Sequence, residues 1–175
     1  MADLQRLTTE YVDAEDRIRL TGELAPGQVN VLWLTQRLLS RLLPHLFQWL
    51  QQHSPVATAS TISTAQMEAL QGLAQLAARA ELSAQPPVEA SASSAAWLVT
   101  EVQVTQNSAW VKLVFKGQPQ GTSASLHFEP QPLRQWLTIV RDQYQRGQWP
   151  MTDWPHWATE NAAMAHTEFK QTVLH

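Results

Sequence analysis

The apolar positions of this chain change period several times, and each change marks an element. Residues 4–12 (LQRLTTEYV) carry a modest strand pattern, and residues 13–16 form a polar turn whose short Asp side chains accept local backbone hydrogen bonds. Ile18 and Leu20 then alternate with Arg17, Arg19 and Thr21, the pattern of a half-buried strand. Ala25-Pro26-Gly27-Gln28 suits a tight turn, with Pro fixing φ and Gly free to take positive φ. Val29, Val31 and Trp33 alternate along the next strand, and Leu32 and Leu34 make its second face apolar too. Thr35 is placed to cap a helix in which Leu38, Leu39, Leu42, Leu43, Leu46, Phe47 and Leu50 form a wide apolar stripe. Pro44 removes a backbone donor inside that helix and predicts a kink or a split.

Residues 53–62 read as a loop. Ser63 and Gln66 match a capping box, and the helix they open is expected to bury Met67, Leu70, Leu73, Ala74 and Ala77. The Pro-, Ala- and Ser-rich run 83–94 has almost nothing to bury and predicts a flexible linker. Alternation returns from Trp97 to Thr105, continues through Trp110, Lys112 and Val114 against Val111, Leu113 and Phe115, and ends with a strand over 123–128. Pro130 and Pro132 introduce a last helix carrying Leu133, Trp136, Leu137, Val140 and Tyr144, closed by Gly147 and Pro150. Residues 156–170 have the pattern of a further helix with Trp157, Ala162, Met164 and Phe169.

Shifted by 94 positions, Leu32 and Leu34 fall on Leu126 and Phe128. Leu39, Leu42, Leu43, Leu46 and Leu50 then fall on Leu133, Trp136, Leu137, Val140 and Tyr144. The chain thus reads as two similar βββα halves, with a helix inserted between them. Such a repeat predicts packing about a pseudo-two-fold axis, in one sheet or in a sandwich. The order of elements resembles the head domains of scaffold proteins of end-joining repair and centriole assembly, which insert two helices into a β-sandwich. No shared motif accompanies this likeness, and it implies fold alone.

The expected fold class is α+β in a single domain. Antiparallel strands come from halves 4–52 and 97–147, with a helical insertion (63–82), a linker (83–96) and an aromatic C-terminal extension (148–175). At 175 residues the chain is long enough for one domain with a substantial core. Its charged fraction of 15% is low, and a net charge of −3 gives no bulk attraction for nucleic acid or anionic membrane. The absence of cysteine excludes disulfides, thiolate metal sites and cysteine nucleophiles, and fits a reducing compartment. No secretory leader pattern opens the sequence, and its longest apolar concentration is interrupted by polar residues. The expectation is a cytoplasmic protein without a membrane span.

Motifs that carry chemistry are scarce in this chain. The six histidines show no metal-binding spacing, and no nucleophile elbow, P-loop or dinucleotide fingerprint is present. The acidic cluster Asp13, Glu15 and Asp16 is accounted for as a turn. No catalytic residue, metal ligand or cofactor is expected. The leading expectation is a non-catalytic protein-binding or assembly protein, a homo-oligomer or one with a protein partner. Trp149, Trp154 and Trp157 are its candidate contact residues, because three clustered indoles carry a large apolar area. A second reading joins Arg37, Arg41, Arg134 and Arg141 from the two helices into one basic stripe for nucleic acid. A third is a small enzyme whose site assembles only in three dimensions.

Overall fold

A computed structural model describes residues 2–53 and 62–159. Seven strands lie in one sheet: β1 (Ala2–Asp3), β2 (Arg6–Val12), β3 (Arg17–Ala25), β4 (Gln28–Leu34), β5 (Ala95–Gln106), β6 (Val111–Gly117) and β7 (Ser123–Phe128). Three helices accompany them: α1 (Gln36–Gln52), α2 (Thr64–Ala80) and α3 (Pro130–Arg146). The fold is mixed α+β, and strand–strand–strand–helix occurs twice in its element order.

The sheet order is β1-β7-β6-β5-β4-β3-β2, so its two edges, β1 and β2, are consecutive in sequence. Between them the Leu4 amide donates to the Ser125 carbonyl at 2.9 Å and the Gln5 amide to the Glu23 carbonyl at 2.8 Å. One stretch of chain therefore bridges both edges, and the sheet closes into a ring at that end. The two meanders β2-β3-β4 and β5-β6-β7 meet at two parallel junctions. At one, residues 30–33 of β4 pair with 95–98 of β5; at the other, Ala2 and Asp3 pair with Ala124 and Ser125. The arrangement is one curled sheet rather than two facing sheets.

The register explains which side is the core. Ile18 pairs with Leu34, Leu20 with Leu32 and Leu113 with Leu126, and all six are buried, so period-2 alternation places them on one concave face. Beyond each parallel junction the paired strands part, and a helix occupies the inner side. α1 follows β4 and faces β5, whereas α3 follows β7 and lies on β2. Trp136 of α3 stacks on Phe128 with centroids 5.2 Å apart, and its indole N–H donates to Thr9 at 3.1 Å.

Thr35 caps α1 as expected, its hydroxyl accepting the Leu38 amide at 3.2 Å. Pro44 neither splits nor ends the helix, which runs unbroken through it. The ring lies on the exposed side, where water can reach the carbonyl that lacks a donor. The capping box of Ser63 and Gln66 is present in full. Most of the loop expected at 53–62, and the helix expected at 156–170 beyond Thr159, lie outside the described residues; His156–Ala158 form a single 3-10 turn.

α2 corrects the sequence expectation most sharply. It buries Gln71, Gly72, Gln75 and Ala78, while Leu73 is 58% and Leu76 43% exposed. Expected core positions 67, 70, 74 and 77 are only partly covered or exposed. The cause lies on α3, where Arg134 is 5% exposed and no carboxylate among the described residues pairs with it. Gln75 donates to the Arg134 carbonyl at 2.8 Å and to Thr138 at 2.9 Å, and the Gln71 and Gln75 side-chain oxygens accept from Arg134. Burial pushes the Arg134 pKa down to about 10. A buried cation without acceptors is far costlier than two exposed leucines, so satisfying Arg134 decides which side of α2 turns inward.

Candidate functional site

The linker expected at 83–94 is irregular, yet it is held. The Val88 amide donates to Thr8 at 2.8 Å and Arg6 donates to the Pro86 carbonyl at 3.0 Å. It passes along β2 and brings the chain to the start of β5. Trp97 and Val99 are buried in the core there, but further along β5 the apolar positions are Val102, half-buried, and Val104, 36% exposed, paired with Phe115 and Leu113. A bulge between Val99 and Glu101 makes this change of phase and bends the strand away from β4.

Past that bend, residues 99–106 pair with β6 on one side, and no described strand pairs with the other. α1 lies across the gap, anchored at its far end by the Trp49 indole N–H, which donates to the Asn107 carbonyl at 2.8 Å. Between helix and strand runs a groove of about 640 Å³. Leu38, Leu42, Val102 and Val104 line it with apolar surface, and Arg41, His45, Gln48 and Glu101 add polar groups. Arg41 is exposed, with no ion-pair partner among the described residues. Glu101 is paired with Lys116 at 3.4 Å. The groove therefore combines an apolar floor, a row of unpaired backbone groups and one uncompensated cation.

The sequence-derived candidates lie elsewhere. Trp149, Trp154 and Trp157 are 6%, 7% and 3% exposed and pack inside the chain. Trp154 and Trp157 meet Phe47 edge-on at centroid distances of 5.1 and 5.6 Å, and Trp149 meets Tyr144 at 5.1 Å. The Trp149 N–H also donates to Asp16 at 2.9 Å. That bond and one from the Tyr11 hydroxyl hold the Asp16 carboxyl below its ordinary pKa. These indoles thus fasten the C-terminal extension over α1 and α3, which is the alternative that three clustered tryptophans always carry.

The four arginines do not form one surface. Arg37 and Arg41 are exposed on α1, whereas Arg134 and Arg141 are buried on α3, Arg134 over the Trp157 ring at 5.2 Å. Among the described residues no group of three His, Asp or Glu side chains is placed to hold a metal ion. No helix among them is long and apolar enough to cross a membrane. Comparison with protein-family models, curated proteins and solved structures found no match to this chain.

Sequence reading missed Val102 and Val104 as site residues. Their signal was present: the apolar positions shift from odd numbers at 97 and 99 to even numbers at 102 and 104, which is what a bulge produces.

Proposed function

We propose that this chain is a non-catalytic protein-binding or assembly module whose groove between α1 and β5 receives a segment of another polypeptide as an added strand. The observation that carries this reading is the unpaired edge of β5 over an apolar floor. An edge of that kind is a template for another chain, and folded proteins usually cover it or protect it with lysine, proline or a charge. Residues 99–106 contain no proline or lysine, and their one charge is already paired with Lys116.

The two βββα halves, read as a repeat, support the same site. In that reading α1, which faces β5, corresponds to α3, which lies on β2. The α3 side is closed by the Trp136 and Gln143 hydrogen bonds to Thr9 and Tyr11. The α1 side has the groove. The cysteine-free sequence supports a reducing, cytoplasmic setting for this reading.

Random peptides displayed on phage test it, panned on the protein and on a Val104→Arg variant whose charge enters the groove. Sequences with alternating apolar residues are expected to enrich on the first and not on the second. No enrichment, or equal enrichment on both, would sink the proposal.

A second reading, self-assembly, is favoured by the exposed leucines of α2. The helix has two charged residues, Glu68 and Arg79, and Leu73 and Leu76 stand open to solvent. Light scattering over a concentration series is expected to give a dimer mass insensitive to salt. A Leu73→Gln/Leu76→Gln double variant is expected to give the monomer mass with unchanged folding, because both side chains are exposed. Equal masses for the two proteins would remove this reading.

A further inference from the structure

The chemistry of the groove also selects its occupant. Its walls are β5 on one side and α1 on the other. A second copy pairing through its own β5 would bring its β6 against α1. A free extended segment meets no such obstacle.

Charge narrows the choice further. Arg41 and His45 lie one turn apart on the α1 wall, and Arg41 has no partner among the described residues. The acid across the gap, Glu101, is already matched by Lys116. The groove therefore presents net positive charge beside Leu38, Leu42, Val102 and Val104, inside a protein whose net charge is −3.

We propose that the occupant is an extended acidic peptide segment of a partner protein. It lies along residues 100–106, with alternate apolar side chains on the groove floor and a carboxylate on Arg41. This rests on the strand-addition reading above and adds to it the charge of the partner. An ion pair at a partly enclosed edge contributes more than one at an open surface, and it sets orientation as well as affinity.

Fluorescein-labelled peptides of about eight residues, long enough to span residues 100–106, make the test. Three alternate valine with glutamate, serine or lysine, and binding is read by anisotropy at low and high salt. The glutamate peptide is expected to bind about tenfold tighter than the lysine peptide, less so at high salt. Arg41→Glu, a change at an exposed position, is expected to reverse that order. Amide exchange at residues 100–106 is expected to slow when the glutamate peptide is bound.

Equal binding of the serine and glutamate peptides would overturn the acidic preference and leave strand addition standing. Failure of all three to bind a folded protein would overturn both. An unchanged order in Arg41→Glu would place the charge recognition elsewhere and overturn the assignment to Arg41. Competition by oligothymidylate would reduce the site to a general anion site. A dimer already protected at residues 100–106, which the peptides do not dissociate, would make the occupant a second copy.

Discussion

Replacing Trp49 by alanine is expected to lower the free energy of unfolding by about 3–5 kcal/mol, the range for truncating a buried aromatic side chain. Trp49 is 1% exposed and among the largest fully buried side chains of the protein. Its N–H holds the last turn of α1 to Asn107, at the turn between β5 and β6, from 58 positions away in sequence. Truncation leaves a cavity and strips the Asn107 carbonyl of that donor. Two costs then add, because a cavity and an unmatched carbonyl are independent losses. Trp49→Phe separates them, keeping most of the ring and losing the bond, and is expected to cost about 1–2 kcal/mol. Urea unfolding followed by far-UV circular dichroism measures both. A loss below about 1 kcal/mol for Trp49→Ala would mean that α1 is not held at this end as described.

The second large effect is expected at Gly117, from a single methyl group. A Cβ there would lie 2.2 Å from Cδ1 of Trp97 and 2.4 Å from the carbonyl oxygen of Leu98. The first contact is with a side chain packed in the core, and the second with backbone inside the parallel β4–β5 junction. Neither can move without disturbing the bulge that bends β5 away from β4. Gly117→Ala is therefore expected to cost about 3 kcal/mol or more, at the upper end of overpacking effects. The neighbouring Lys116→Ala, on a partly exposed side chain, is expected to stay within about 0.5 kcal/mol. Thermal unfolding of the two variants beside the parent measures this. Similar midpoints for both would show that β6 approaches Trp97 and Leu98 loosely enough to admit a methyl group.

Gly117 and Trp49 also show where the sequence was legible. The alternation of Ile18 and Leu20, and of Leu113 and Phe115, named buried strands because a pleated strand offers one face to the core. The leucine stripe of α1 named a buried helix face for the same reason at period 3.6. Caps at Thr35 and Ser63 were readable because the groups they satisfy lie within three residues. By contrast, Trp49 was absent from the predicted stripe, and its partner is a carbonyl on another element. Nothing in the local pattern singles out Gly117, since the atoms that forbid a side chain there belong to β5.

The candidate site divides in the same way. Trp149, Trp154 and Trp157 were recognisable as a large apolar area, but hydrophobicity has no direction. The same indoles serve an internal or an external surface, and Phe47 and Tyr144 supplied the internal one. The orientation of α2 was misjudged because a hydrophobic pattern weighs a helix against an average core. Its actual neighbour is a particular buried guanidinium, and Gln71 and Gln75 answer it better than Leu73 and Leu76.

The sequence by itself determined the strands β2 to β7, the three helices, their order and which strand positions are buried. All of these follow from side-chain period and local backbone chemistry. Tertiary structure alone decided three things: that one stretch around Leu4 closes the ring, that α2 turns its polar side inward, and that beside α1 no strand among the described residues covers the edge of β5. Each depends on which groups from distant parts of the chain meet. Ring closure needs Ser125 and Glu23 at the two edges, α2 needs Arg134, and the groove exists because β4 and β5 part after four paired residues.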